Sequence, residues 1–159
     1  MASLNMEGLD ALIRDMEKMG HLSDQVAEAM LEAGAAEIRD CWRESAEKHD
    51  LRDTGEMIES IGFESQPTDL GTARYKDIYP MGKDSKGVRN AEKAFILHYG
   101  REGARKIRAT YWVDDAEDLA NQRVPDKLNK LWGDFLETGK VPSVTDTGGS
   151  AGGITTFQK

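Results

Sequence analysis

The stretch Ser23–Lys48, SDQVAEAMLEAGAAEIRDCWRESAEK, decides the fold. In it Val26, Ala27, Met30, Leu31, Gly34, Ala35, Ile38, Cys41 and Trp42 recur at helical spacing, which lines them up as one wide apolar face. Ser23 is a good N-cap, and Asp24 in the first turn complements the helix dipole. At 1.5 Å per residue this helix is roughly 37 Å long, close to the diameter of a domain of this size, so one end overhangs or meets a neighbour. Glu28 and Glu32, like Arg39 and Arg43, are same-sign pairs four apart, each costing about 0.2–0.5 kcal/mol. Packing, not local charge, has to hold this helix.

Upstream, Leu9, Leu12, Ile13, Met16 and Met19 mark the stripe of a shorter helix from about Leu4, which Gly20 is placed to close. Downstream the texture changes after His49-Asp50. Leu51-Arg52-Asp53-Thr54-Gly55 reads as a turn, Glu56–Ser60 as one helical turn and Ile61-Gly62-Phe63-Glu64 as the start of a strand. Ala73–Tyr79 is a second strand, stopped by Pro80. Gly82–Gly87 is expected as a flexible, exposed loop. Ala94–Tyr99 is the most apolar run and reads as a buried strand, or as a helix turning into one, ended by Gly100. Lys106–Val113 alternates as a further strand. Asp114 or Asp115 caps a last helix that keeps its spacing to Gly139, with Pro125 either kinking it or opening a separate helix. Helices first, short strands next and a helix last predict an α+β domain: two N-terminal helices, the second long, then a small antiparallel sheet and a C-terminal helix.

A chain of 159 residues is one domain's worth, expected over residues 1–140. The rest, 141–159, is expected as a flexible Gly-rich tail, because Val144–Lys159 carries too little apolar surface to offset its ordering entropy. The single cysteine, Cys41, excludes an internal disulfide and a Cys-based zinc cage. No apolar run approaches a membrane span, and the N-terminus lacks the pattern of a signal peptide, so a cytoplasmic chain without membrane contact is expected. The net charge of −8 is unevenly spread. Residues 1–60 carry 15 acids and 6 bases, whereas 81–110 carry 3 acids and 8 bases, so an acidic third of one copy can attract the basic middle of the next.

Asp53-Thr54-Gly55 is the triplet of aspartic proteases, which pair two copies around one proton. A homodimer needs only one per chain. Here, however, the triplet follows a long helix instead of ending a strand, and a cap with a glycine turn accounts for it. His21, His49 and His98 lack the spacing of a metal pair, Cys41 lies inside an apolar stripe, and Gly82–Gly87 lacks the order of a phosphate-binding loop. No cofactor and no metal are expected. Arg89, Lys93, Arg101, Arg105, Lys106 and Arg108, with Tyr99, Tyr111 and Trp112 nearby, form a basic patch. Such a composition grips phosphates and stacks bases, or faces a protein; the acidic total favours the protein.

With these pieces in order, the chain resembles the gene-product-ten-like tail-component family of tailed bacteriophages and prophages over residues 5 to 138. The most specific segment is Asp53-Thr54-Gly55-Glu56-Met57-Ile58-Glu59-Ser60-Ile61: an Asp-Thr-Gly turn after a long helix, then a Ser-Ile pair. A second is Phe95-Ile96-Leu97-His98-Tyr99-Gly100, ending in an aromatic and a glycine, although Gly100-Arg101 stands where many members have Gly-Thr. The resemblance implies a non-enzymatic subunit of a neck or tail-completion ring, commonly a hexamer, between the head connector and the tail tube or tail terminator. It implies a place in the virion after assembly in the host cytoplasm, with DNA passing through the channel without specific binding. The alternatives are a head-closure or tail-terminator connector subunit and, in another class, a homodimeric aspartic protease using Asp53.

Overall fold

The structure, a computed structural model, describes residues 6–71 and 73–143; for residues 6–19 and Ser23 it describes the backbone alone. The fold is mixed α+β. Helix α1, Met6–Lys48, is followed by the single turn α2, Glu56–Glu59. Four two-residue strands come next, β1 (Ile61–Gly62), β2 (Thr68–Asp69), β3 (Arg74–Tyr75) and β4 (Tyr79–Pro80), then α3, Asn90–Tyr99, and α4, Trp112–Thr138.

The break expected at Gly20 is absent: the two N-terminal helices are one helix of 43 residues, about 64 Å long. Leu12, Met19, Val26 and Ala33 are seven apart, so the apolar face stays in phase through Gly20 and a restart gains nothing. That phase outweighs the roughly 1 kcal/mol a mid-helix glycine costs.

Helix α4 lies antiparallel against α1. Trp112 at its start accepts a 2.6 Å hydrogen bond from Ser45 Oγ near the end of α1, while Val124 and Leu128 lie against Gly34. Gly34, with no side chain, lets the two backbones approach there. At the rim Arg123 grips Glu44 with two bonds of 2.6 and 3.0 Å, which holds the Glu44 carboxyl below its ordinary range, and Lys127 meets Glu37 at 2.9 Å. Helix α4 runs on through Pro125 and ends at Gly139 in the left-handed region (φ 64°). The main core gathers Ala46, Met57, Ile58, Ile61, Ala94 and Trp112, with Trp42 meeting Trp112 edge-on at 5.4 Å. Cys41 is buried against α4, and burial pushes its thiol up, away from the reactive thiolate.

The strands form one irregular antiparallel arm. Ile61 pairs with Pro80 at its base and Thr68 with Tyr75 nearer its tip, the two ladders being out of step by two residues. The expected strand over 73–79 is therefore two short ones, and Pro80 belongs to the second, tolerated because a two-stranded ladder has only edges. Lys76 clamps the arm to α1: it pairs with Glu32, donates to Ser65 O at 2.8 Å and lies 4.9 Å from the Phe63 ring centroid.

Two further expectations are corrected. Residues 94–99 are helical, because Ala94 and His98 face the core at helical spacing while Phe95 and Tyr99 face out. Residues 106–113 make no strand beyond a single bridge, Arg101 to Ile107: the amides of Thr110 and Tyr111 donate to the Leu97 and His98 carbonyls at the end of α3. The tail from residue 144 lies outside the described residues.

Replacing Trp112 by alanine removes the side chain shared by α1, α3 and α4. Chemical denaturation of W112A is expected to show a loss of about 3–5 kcal/mol.

Candidate interaction surface

The two segments that carry the resemblance converge on one cleft of about 380 Å³. The turn Asp50–Gly55 forms one wall, and Lys93, Ile96, Leu97 and Ile107 the other. Within the turn Thr54 Oγ1 donates to Glu56 Oε2 at 2.9 Å, and Gly55 adopts φ 87° at the start of α2. Asp53 is exposed and makes no hydrogen bond or ion pair with a described residue. Ser60 closes α2 by donating to Met57 O at 2.7 Å, and Ile61 is fully buried in the core. The Asp-Thr-Gly turn and the Ser-Ile pair thus start and stop one helical turn.

Glu56 ties this turn to the loop 82–88, accepting from Ser85 N and Ser85 Oγ at 3.1 Å each. Its hydrogen bond from Thr54, then those from Ser85, hold its carboxyl below the ordinary value. The loop expected to be loose is organised around Asp84. The buried carboxylate pairs with Lys93 and accepts from the amides of Lys86 at 2.9 Å and Val88 at 2.7 Å. Lys93 is thereby spent on Asp84. Arg89 stands at the opposite end of α3, about 15 Å from Tyr99. The six-residue basic patch narrows to Arg101, Arg105, Lys106 and Arg108.

Those four share a hairpin closed by reciprocal 2.9 Å bonds between Arg101 and Ile107. Gly100 makes it possible. At φ 80°, an added Cβ there would sit 2.8 Å from both Ala109 N and Ile107 O, so only glycine lets the chain fold back this closely. Lys106 has a weak contact with Glu102 at 3.4 Å, whereas Arg101, Arg105 and Arg108 have no carboxylate partner among the described residues.

Beside the hairpin stand three exposed aromatic rings, Phe95 (63% exposed), Tyr99 (59%) and Tyr111 (53%). They are braced from below by the buried His98, whose ring meets Tyr99 edge-on at 4.3 Å and Tyr111 at 5.6 Å; Phe95 lies 4.8 Å from Tyr99. His98 Nδ1 accepts from Val113 N at 3.3 Å, which leaves the ring proton on Nε2, facing Asp114. Tyr111 is held in the left-handed region (φ 53°), a strained conformation for an aromatic residue. Sequence reading missed Phe95 as an exposed ring because it sits inside the most apolar run. It also counted Trp112 with the accessible aromatics, whereas Trp112 is fully buried.

Among the described residues no helix is long and apolar enough to cross a membrane, and no group of three or more His, Cys, Asp and Glu is placed to hold a metal ion. Comparison with protein families, with curated proteins and with solved structures finds no match for this chain.

Gly100→Ala is expected to cost at least about 2 kcal/mol, and hydrogen exchange should show the amides of Arg101 and Ile107 losing protection while the Trp112 core keeps its own. The Asp84 carboxyl is held below its ordinary value by the Lys93 hydrogen bond first and by the backbone amides after it. Its contribution to stability is therefore complete above about pH 4 and disappears as the pH falls through the lowered folded value. D84N should unfold at lower urea than the parent at pH 7, and the gap should shrink by pH 2.

Proposed function

We propose that this chain is a structural subunit of a phage or prophage neck or tail-completion ring joining the head connector to the tail tube, with no catalysis and no cofactor. One observation supports this reading beyond the resemblance: the molecule has unlike ends. The aromatic and arginine face lies at the end of the α1/α4 pair where Ser45 meets Trp112, and the start of α1 lies at the other. Counted back from the Gly34 contact, α4 can flank α1 only to about residue 22, leaving residues 6–21, roughly 24 Å of helix, beyond it. Unlike patches on one subunit suit head-to-tail contacts, which close into rings when the rotation allows. The hexamer, the neighbouring connector and tail-tube proteins and a place at the virion junction are part of the same proposal.

Light scattering and negative-stain imaging of the full chain and of D53N test it together. Closed rings with an axial channel are expected from both. Two-fold dimers that cleave a protein substrate only when Asp53 is present would replace this reading with the protease.

A further inference from the structure

We propose that the N-terminal overhang of α1 in one copy docks on the Phe95, Tyr99, Tyr111, Arg101, Arg105 and Arg108 face of a second copy. This rests on the reading that copies join head to tail, and it names the surfaces they use.

Four observations lead to the overhang as the occupant. First, the backbone of residues 6–21 is helical and continues the helix whose Val26 and Ala33 are buried. Leu9, Leu12, Met16 and Met19 keep the same heptad phase, so the seam that α1 buries further along continues where α4 has ended. Second, the charges match. Residues 6–21 carry four acids (Glu7, Asp10, Asp15 and Glu17) against Arg14 and Lys18, whereas the hairpin carries four cations against Glu102. Three of those cations have no carboxylate partner among the described residues. Third, leucine and methionine side chains suit an aromatic platform, methionine sulfur gaining about 0.3–1.5 kcal/mol per ring contact. The platform is held in place before any partner arrives, by His98 beneath and by the fixed backbone of Tyr111. Fourth, a chain cannot make this contact with itself. From Ser45, beside Trp112, to residue 22 is roughly 35 Å along a continuous helix, and the overhang points away from there.

A single-stranded nucleic acid also offers negative charge and flat rings. The net charge of −8 opposes a polyanion, and the apolar surface of Phe95 calls for an aliphatic partner that phosphates do not supply.

The test uses full-length chains and exploits the buried Cys41, the only native thiol. M16C and Y99C chains are mixed and treated with a short bis-maleimide, with F95C as a second reporter on the platform. The expected product is an M16C–Y99C dimer that exceeds either self-linked dimer. Reversing Arg101, Arg105 and Arg108 to glutamate should lower its yield about tenfold, and reversing Glu7, Asp10, Asp15 and Glu17 to lysine on the M16C chain should restore it. Rescue by the second reversal separates docking from misfolding. Self-linked M16C dimers alone mean that the overhang pairs with itself, and no cross-link with either reporter means that the chain's own tail or nothing covers it; both overturn the proposal. So does capture of a labelled 20-mer of thymidine by the same arginines in place of the cross-link. Rings on the grid without the cross-link remove the docking and leave the ring; cross-linked open filaments do the reverse.

Discussion

Trp112 is held from three sides, and the arrangement of the other elements follows from it. Ser45 Oγ donates to its carbonyl, Trp42 meets its ring edge-on, and its own Nε1 reaches Ala94 O at 3.4 Å. One residue thereby fixes where α4 starts, which end of α1 it starts against and how α3 lies across both. The antiparallel direction of α4 follows, and so does the overhang, because 27 residues of α4 cannot flank 43 of α1. The strained backbone of Tyr111 is the local cost of turning from the end of α3 into α4 at the depth Trp112 requires, offset by the burial of the indole.

How far the fold could be read from the sequence varies with the kind of signal. The apolar face of residues 23–48 was legible because nine residues at helical spacing outweigh any local irregularity. Gly20 misled because glycine reads as a stop when composition is weighed without phase, and only the seven-residue step from Met19 to Val26 shows the helix continuing. Ala94–Tyr99 was ambiguous for a physical reason: in a six-residue apolar run, period two and period 3.6 differ by one residue. What decides is tertiary. The end of α3 needs partners for its carbonyls, and Thr110 and Tyr111 supply them, which removes those amides from any strand.

The candidate surface was legible in its charges and not in its geometry. Arginines at 101, 105 and 108 could be counted, but that Lys93 is spent on Asp84 depends on a loop whose closure only the folded chain reveals. The aromatic-glycine pair at Tyr99-Gly100 could be quoted as a motif without its reason. The structure gives one: the hairpin passes so close to the end of α3 that position 100 has no room for a Cβ. The Asp-Thr-Gly turn is similar. Thr54 and Gly55 serve the start of α2, and Asp53 is left facing solvent.

The same-sign pairs on α1 show how the two levels fit. Taken locally, Glu28 with Glu32 and Arg39 with Arg43 weaken the helix. In the folded chain Glu32 takes Lys76, Arg39 binds Asp40 at 2.9 Å and lies over Phe63, and Arg43 donates to Ile61 O at 2.7 Å. Glu37, Glu44 and Glu47 find Lys127, Arg123 and Arg52. The middle of α1 thus spends its charge inside the molecule, mostly on partners that lie beyond the helix itself. Asp24 and Glu28, nearest the overhang, have no cation within reach among the described residues, and neither do the hairpin arginines have a carboxylate. Solvation accommodates such isolated surface charges at little cost, so what matters about them is where they stand, beside the overhang and beside the aromatic rings. In the docking proposed above, Asp24 and Glu28 near one end of the helix pair and Arg101, Arg105 and Arg108 at the other are charges that a neighbouring copy would meet.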